Sequence, residues 1–123
     1  MTKGEIKDVL KDLGLTHVYG YRLETRALPN ILGMDEQLYG ITSGVYQGKR
    51  WLAAVTGQHI YLISVNPVSK TEVKVINRGD VRDAAAKKCV LFAKITLELD
   101  GESIVLEHAA KASVPTFLWA VSR

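Results

Sequence analysis

Apolar residues near the start of the chain recur at helical spacing. Ile6, Val9, Leu10 and Leu13 fall at i, i+3, i+4 and i+7, one stripe of a 3.6-residue period. Thr2-x-x-Glu5 has the spacing of a capping box and Gly14 stands where a left-handed C-cap is wanted, so a helix is predicted over 3–13. Val18-Tyr19-Gly20-Tyr21 reads as a connector. A second short helix is predicted over 22–28, with Pro29 limiting its continuation and Leu28, Ile31 and Leu32 supplying an apolar edge.

From Asp35 the pattern becomes strand-like, with turn residues between β-segments. The segment 36–46 meets 49–56 across Gln47-Gly48. A two-residue loop there sets Val45 opposite Arg50, Ser43 opposite Leu52 and Ile41 opposite Ala54. Trp51 then faces Gly44, a bare position on which a large ring packs well. Gly40 and Gly44 read as strand bends. Gly57-Gln58, glycine first as a type II′ turn requires, joins 50–56 to 59–65. After a break at Asn66-Pro67, Val73 and Val75 alternate with Glu72 and Lys74 in a fourth, half-exposed strand.

Asp100-Gly101 is a favoured type I′ signal between two alternating runs. Its register sets Leu97 against Ile104 and Ile95 against Leu106 on an apolar face, and Lys94 against Glu107 on the other. Ser113-Val114-Pro115 has a capping hydroxyl and an early proline, and Val114, Phe117, Leu118 and Val121 form one stripe, so a single C-terminal helix covers the sheet. The stripe leaves Trp119 away from its centre. Either the N-terminal helix folds back over that indole, or Trp119 anchors a partner or another copy of the chain.

Composition bounds the class. Of 123 residues, 47% are apolar and 24% charged, enough for one domain with its own core and unlike a disordered chain. No window approaches the roughly 18 consecutive apolar residues of a transmembrane segment. The first residues also lack the apolar stretch of a signal peptide, so a cytoplasmic location is expected. The single cysteine, Cys89, can make no internal disulfide and reads as a passive structural thiol. The formal charge of +3 is unevenly placed, because residues 70–94 hold seven basic side chains, Lys87 and Lys88 among them, against three acidic ones. Such a segment could attract an anionic lipid, a phosphorylated ligand or an acidic protein surface; no nucleic acid partner is expected.

Three phrases, Ile31-Leu32-Gly33-Met34-Asp35-Glu36-Gln37-Leu38-Tyr39, Ala54-Val55-Thr56-Gly57-Gln58-His59-Ile60-Tyr61-Leu62 and Leu91-Phe92-Ala93-Lys94-Ile95-Thr96-Leu97, occur in this order of elements. In these the chain resembles the bacterial pleckstrin-homology (PH) domains, closest to the YokE-like type, over residues 22–123. The resemblance implies a mainly β, α+β fold: a strongly bent roll of about seven antiparallel strands closed by the C-terminal helix. Residues 1–21 are then a helical extension. Residues 80–89 are taken as a strand on this resemblance, although Asp83-Ala84-Ala85-Ala86-Lys87-Lys88 suits a helix by propensity. PH domains that bind phosphoinositides use spaced basic residues around the first hairpin turn. Here only Lys49 and Arg50 lie beside it, and the turn is too short to wrap a headgroup.

An enzyme needs a nucleophile with its base, a carboxylate pair, a phosphate-cradling loop or a metal cluster. The sequence offers none, so no catalytic residue, cofactor or metal is expected. His17, His59 and His108 read as structural, with His108 capping the core edge on the parity of Ile104 and Leu106. The expected function is a non-enzymatic PH-like interaction module, protein-binding or self-associating, with Trp119, Lys49, Arg50, Lys87 and Lys88 as candidate contact residues. The alternative is peripheral binding of anionic lipid or a phosphorylated ligand through residues 70–94.

Overall fold

Helix α1 (Lys3–Leu13) begins and ends where its caps dictate. Thr2 Oγ1 accepts from the Glu5 N–H at 3.1 Å, Glu5 Oε1 accepts from the Thr2 N–H at 2.8 Å, and Gly14 takes the left-handed conformation at φ 73°. The computed structural model describes residues 1–66, 68 and 70–123. Two expectations for the next segment change. The stretch around Tyr19 is not a plain connector but one helical turn, α2 (Thr16–Tyr19), and α3 (Leu23–Ile31) runs two residues past Pro29 before it stops. A proline so close to a helix end removes a single internal hydrogen bond.

Seven strands follow: β1 (Gly40–Tyr46), β2 (Lys49–Val55), β3 (His59–Ser64), β4 (Glu72–Asn77), β5 (Val81–Lys88), β6 (Ala93–Leu99) and β7 (Glu102–Ala109). They form one antiparallel sheet in the order β4-β3-β2-β1-β7-β6-β5, and α4 (Val114–Ser122) closes it. The expected break at Asn66-Pro67 falls partly on residue 67, outside the described residues. The segment 80–89 is a strand despite its composition, because β5 pairs with β6 from Val81↔Leu99 to Lys88↔Ala93. Tertiary pairing overrides local propensity there.

The register of the first hairpin is the expected one, with Val45↔Arg50, Gly44↔Trp51 and Ile41↔Ala54. Gln47 and Gly48 both take positive φ, 52° and 73°, as a type I′ turn demands. The other two turns differ from expectation. Gly57 does not adopt the positive φ of a type II′ turn; Thr56 Oγ1 holds the loop instead, accepting from the N–H groups of Gln58 at 3.2 Å and His59 at 3.0 Å. At Asp100-Gly101 only the glycine has positive φ, 84°, which is the type II pattern and not type I′.

In the last hairpin Leu97↔Ile104 and Ile95↔Leu106 pair as expected, but the ladder then breaks before Ala93↔Ala109. Glu107 and His108 therefore stand together opposite Lys94, and His108 takes φ 60°. The extra residue inverts the parity. Ala109 points inward, His108 is exposed and caps no core, and among the described residues no ion pair joins Lys94 to Glu107.

Strands β1–β3 are buried on both faces. Ala53, Val55, Ile60 and Leu62 face the roll interior with Ile95, Leu97, Ile104, Leu106 and Phe117. Leu52, Ala54, Tyr61 and Ile63 face the other way and pack against Ile6, Leu10, Leu15, Tyr19 and Leu28 of the N-terminal helices. On α4 the buried set is Val114, Phe117, Ala120 and Val121; Ala120 takes the place expected for Leu118, which is only half-buried. Ser113 makes no cap hydrogen bond. Its buried Oγ donates to the Ala110 carbonyl at 2.7 Å, meets Thr42 Oγ1 at 2.8 Å, and accepts from the Tyr19 hydroxyl at 3.3 Å. Ser43 Oγ in turn donates to that phenol at 3.2 Å, so one hydroxyl cluster ties α2, β1 and the start of α4 together.

The roll closes at β1, where β7 is bridged at Val45↔Glu107. A Cβ on Gly44 would lie 2.7 Å from Leu106 Cβ and 2.9 Å from the Glu107 carbonyl oxygen, and one on Gly40 would lie 2.7 Å from Ala120 Cβ. Both glycines are close-approach positions, for β7 and for α4 respectively, and not bends. Gly44→Ala is therefore expected to lower stability by about 1–3 kcal/mol through overpacking, and Leu97→Ala or Leu106→Ala by about 2–4 kcal/mol through the cavity each leaves. Urea unfolding measures all three, and wild-type midpoints would mean the closure is wrongly placed.

Candidate functional site

The sequence-selected contact residues fall at three separate places. Trp119 lies on the outer side of α4 and is 59% exposed. Arg123 lies between two rings there, 3.7 Å from the Tyr39 centroid and 5.2 Å from that of Trp119. The N-terminal helices pack on the far side of the sheet, so they do not fold back over the indole.

Lys49 and Arg50 sit at the first hairpin turn and are exposed. Lys49 is engaged within the fold: it pairs with Glu72 and lies 5.5 Å from the Trp51 ring centroid. The basic residues of 70–94 are likewise dispersed. Lys74 lies 5.6 Å from the Tyr46 ring centroid, Arg78 Nη1 donates to the Ala120 carbonyl at 2.9 Å, and Arg82 pairs with Asp100 at 3.4 Å.

Lys87 and Lys88 end β5 and lead into the turn to β6. There Val90 and Leu91 are 90% and 77% exposed and Phe92 is 45% exposed. The Cys89 N–H donates to the Phe92 carbonyl at 2.8 Å, closing the turn. Lys111 Nζ donates to the Val90 carbonyl at 2.7 Å, and the His108 ring lies 5.6 Å from that of Phe92. Cys89 is an exposed thiol on this turn, not part of a core.

Among the described residues one charged side chain is buried. Glu36, 8% exposed, precedes β1 and accepts at Oε2 from Thr56 Oγ1 at 2.6 Å and His59 Nδ1 at 2.9 Å. Its Oε1 accepts from the Gly33 N–H at 2.8 Å and from the Tyr61 hydroxyl. Burial raises the carboxyl pKa, but the bonds from Thr56, Tyr61, His59 and Gly33 outweigh it and bring the value down to about 2. Burial, and then the hydrogen bond to Glu36 and its charge, push the Tyr61 phenol up.

A family model described as Bacterial PH domain matches residues 32–123, three quarters of the chain. The chain belongs to the bacterial PH domain family. No curated protein and no solved structure matches it. The matched span of this PH domain holds the whole seven-stranded sheet and α4, and the family is one of interaction modules. Among the described residues, no group of three or more His, Cys, Asp or Glu side chains could hold a metal ion, and no helix is long and apolar enough to cross a membrane.

Sequence reasoning missed two features of this PH domain. The Glu36 network has a faint trace, since Thr56, His59 and Tyr61 are polar interruptions of an otherwise apolar run, but nothing in the spacing selects Glu36 as their partner. The exposed turn is readable as Val90-Leu91-Phe92 without periodicity, next to Lys87 and Lys88, but no Gly, Pro, Asn or Asp marks it as a turn.

Glu36 carries a pH consequence. Its folded pKa lies below the usual 4.5, so its contribution to stability is fully present above about pH 5 and is lost as pH falls toward 2. The stability advantage of wild type over Glu36→Gln, by urea unfolding, is expected to be on the order of 3 kcal/mol at pH 6 and to shrink most of the way by pH 2.5. An advantage independent of pH would show that the carboxylate is not held ionised by these bonds.

Proposed function

We propose that this PH domain is a non-enzymatic interaction module of the YokE-like type that binds protein, and in the first place a second copy of itself, through the face around Trp119. One observation carries the reading: the helices that could have covered Trp119 bury their apolar stripe against β1–β3, on the other side of the sheet. The indole is held by the Arg123 guanidinium, which reduces the entropy lost on contact. Exposed tryptophan is a frequent anchor of protein interfaces, and the family resemblance implies assembly into oligomers. A cytoplasmic location belongs to the same reading, as does the division into an extension, 1–21, and a PH-like unit, 22–123.

The alternative, anionic lipid or a phosphorylated ligand on the basic segment, is favoured at one place. Lys74, Arg78 and Arg82 have partners within the fold, whereas Lys87 and Lys88 stand beside an exposed apolar turn.

Static light scattering over a concentration series separates these modes. Wild type is expected to exceed the mass of one chain at high concentration, and Trp119→Ser to return it to a monomer with its thermal midpoint unchanged. A wild type that stays monomeric throughout would overturn self-association.

A further inference from the structure

The turn between β5 and β6 bounds a concavity. Residues 89–94 of the turn, with Glu107 and His108 from the bulge of β7, line a volume of about 480 Å³, inside the roughly 300–1,000 Å³ of ligand clefts. Its turn side is apolar from Cys89 through Ala93, and Val90, Leu91 and Phe92 are left in contact with solvent. Water opposes that exposure by roughly 25 cal/mol for each Å² of apolar area. Four lysines belong to this lining or adjoin it. Lys94 lines the concavity, Lys88 pairs with the lining residue Ala93, Lys87 pairs with Lys94, and Lys111 Nζ donates to the Val90 carbonyl at 2.7 Å. Among the described residues the lining holds one carboxylate, Glu107.

The walls are fastened to one another. The Cys89 N–H donates to the Phe92 carbonyl, Lys111 is tied to Val90, and the His108 ring lies 5.6 Å from that of Phe92. The bulge that turns His108 out of the core, at φ 60°, is what delivers it to this lining. Among the described residues none of the four lysines is paired with a carboxylate. Lys87 and Lys94 face each other across the strands, a like-charge juxtaposition that disfavours the hairpin. An anionic group brought from outside relieves a repulsion that the fold leaves unmatched.

We propose that this concavity is a peptide-docking site: it takes a large apolar side chain from an acidic segment of a partner protein, whose neighbouring carboxylates pair with Lys87, Lys88, Lys94 and Lys111. Charge complementarity selects the occupant. Four cations against one carboxylate call for a ligand that carries Asp or Glu, and an apolar wall calls for a Leu, Phe or Trp beside them. A concave site is filled by something that protrudes into it. A side chain on a peptide protrudes; the surface of a bilayer does not. The lining shares no residue with the Trp119 face, so its failure would leave the reading of Trp119 untouched.

Selection of random short peptides displayed on phage, against the full chain, tests it. The enriched sequences are expected to hold a Leu, Phe or Trp flanked by Asp or Glu. Such a peptide, synthesised with a fluorescent label, should bind more weakly at high salt in anisotropy titrations, and at least about tenfold more weakly once its apolar residue is replaced by Ser. Leu91→Ser should weaken binding several-fold, and Lys87→Glu with Lys88→Glu at least about tenfold. Charge reversal at position 87 also removes the repulsion with Lys94, so the double variant should keep or raise its thermal midpoint, which separates lost binding from a lost fold. Amide shifts in heteronuclear NMR should place the peptide at 89–94, 107 and 108 and leave the Trp119 indole unmoved. A selection that enriches no acidic, apolar sequence would overturn the proposal. So would binding indifferent to these variants, amide shifts confined to another surface, or phosphatidylglycerol vesicles that hold the chain and are not displaced by the peptide, because the lysines would then serve lipid.

Discussion

The structure turns on the double-sided burial of β1–β3. A sheet with one wet face alternates polar and apolar residues, but Trp51 through Val55 and Ile60 through Ile63 present apolar side chains to both faces. Each face needs a cover. On one side it is the rest of the roll and α4; on the other it is the N-terminal helical segment, whose Ile6, Leu10, Leu15 and Tyr19 are almost completely buried. The two covers are stitched together by the Tyr19, Thr42, Ser43 and Ser113 hydroxyls, whose hydrogen bonds leave none of these buried groups unmatched.

The closeness of those layers has a steric condition. β1 must let β7 cross at Gly44 and α4 press at Gly40, where a methyl group would collide. Function follows from what the two covers leave over. Once the N-terminal stripe is committed to β1–β3, Trp119 has only the Arg123 guanidinium near its ring among the groups named above and stays 59% exposed, and the turn after β5 leaves Val90 and Leu91 in solvent. The two candidate contact surfaces of this PH domain are thus residues of packing as much as of design, and they are chemically unlike: one a tryptophan braced by arginine, the other an apolar turn of Val90, Leu91 and Phe92 next to Lys87 and Lys88.

Much of the fold was legible because its signals are local. Capping residues fix α1 to the residue, and turn lengths fix the register of the first and last hairpins, since a one-residue slip would expose every core side chain. What was illegible depends on distance along the chain. Ser113 reads as a cap until Tyr19 and Thr42 arrive from elsewhere. His108 reads as a core residue until the bulge at Glu107 reverses its side. Lys74, Arg78 and Arg82 read as one basic segment until each finds its partner. The β5 sequence, helical by composition, shows the same effect in the opposite direction, because only the ladder to β6 makes it a strand.

If β1–β3 depend on both covers, the helices and the roll must open together. Native-state hydrogen exchange in increasing denaturant measures this at individual amides. The account predicts that the slowest amides of α1, around Leu10, and those of β6 and β7, around Leu97 and Leu106, converge on one global unfolding free energy. A helical segment that exchanges through its own low-energy opening, while the strands stay protected to the global limit, would contradict it.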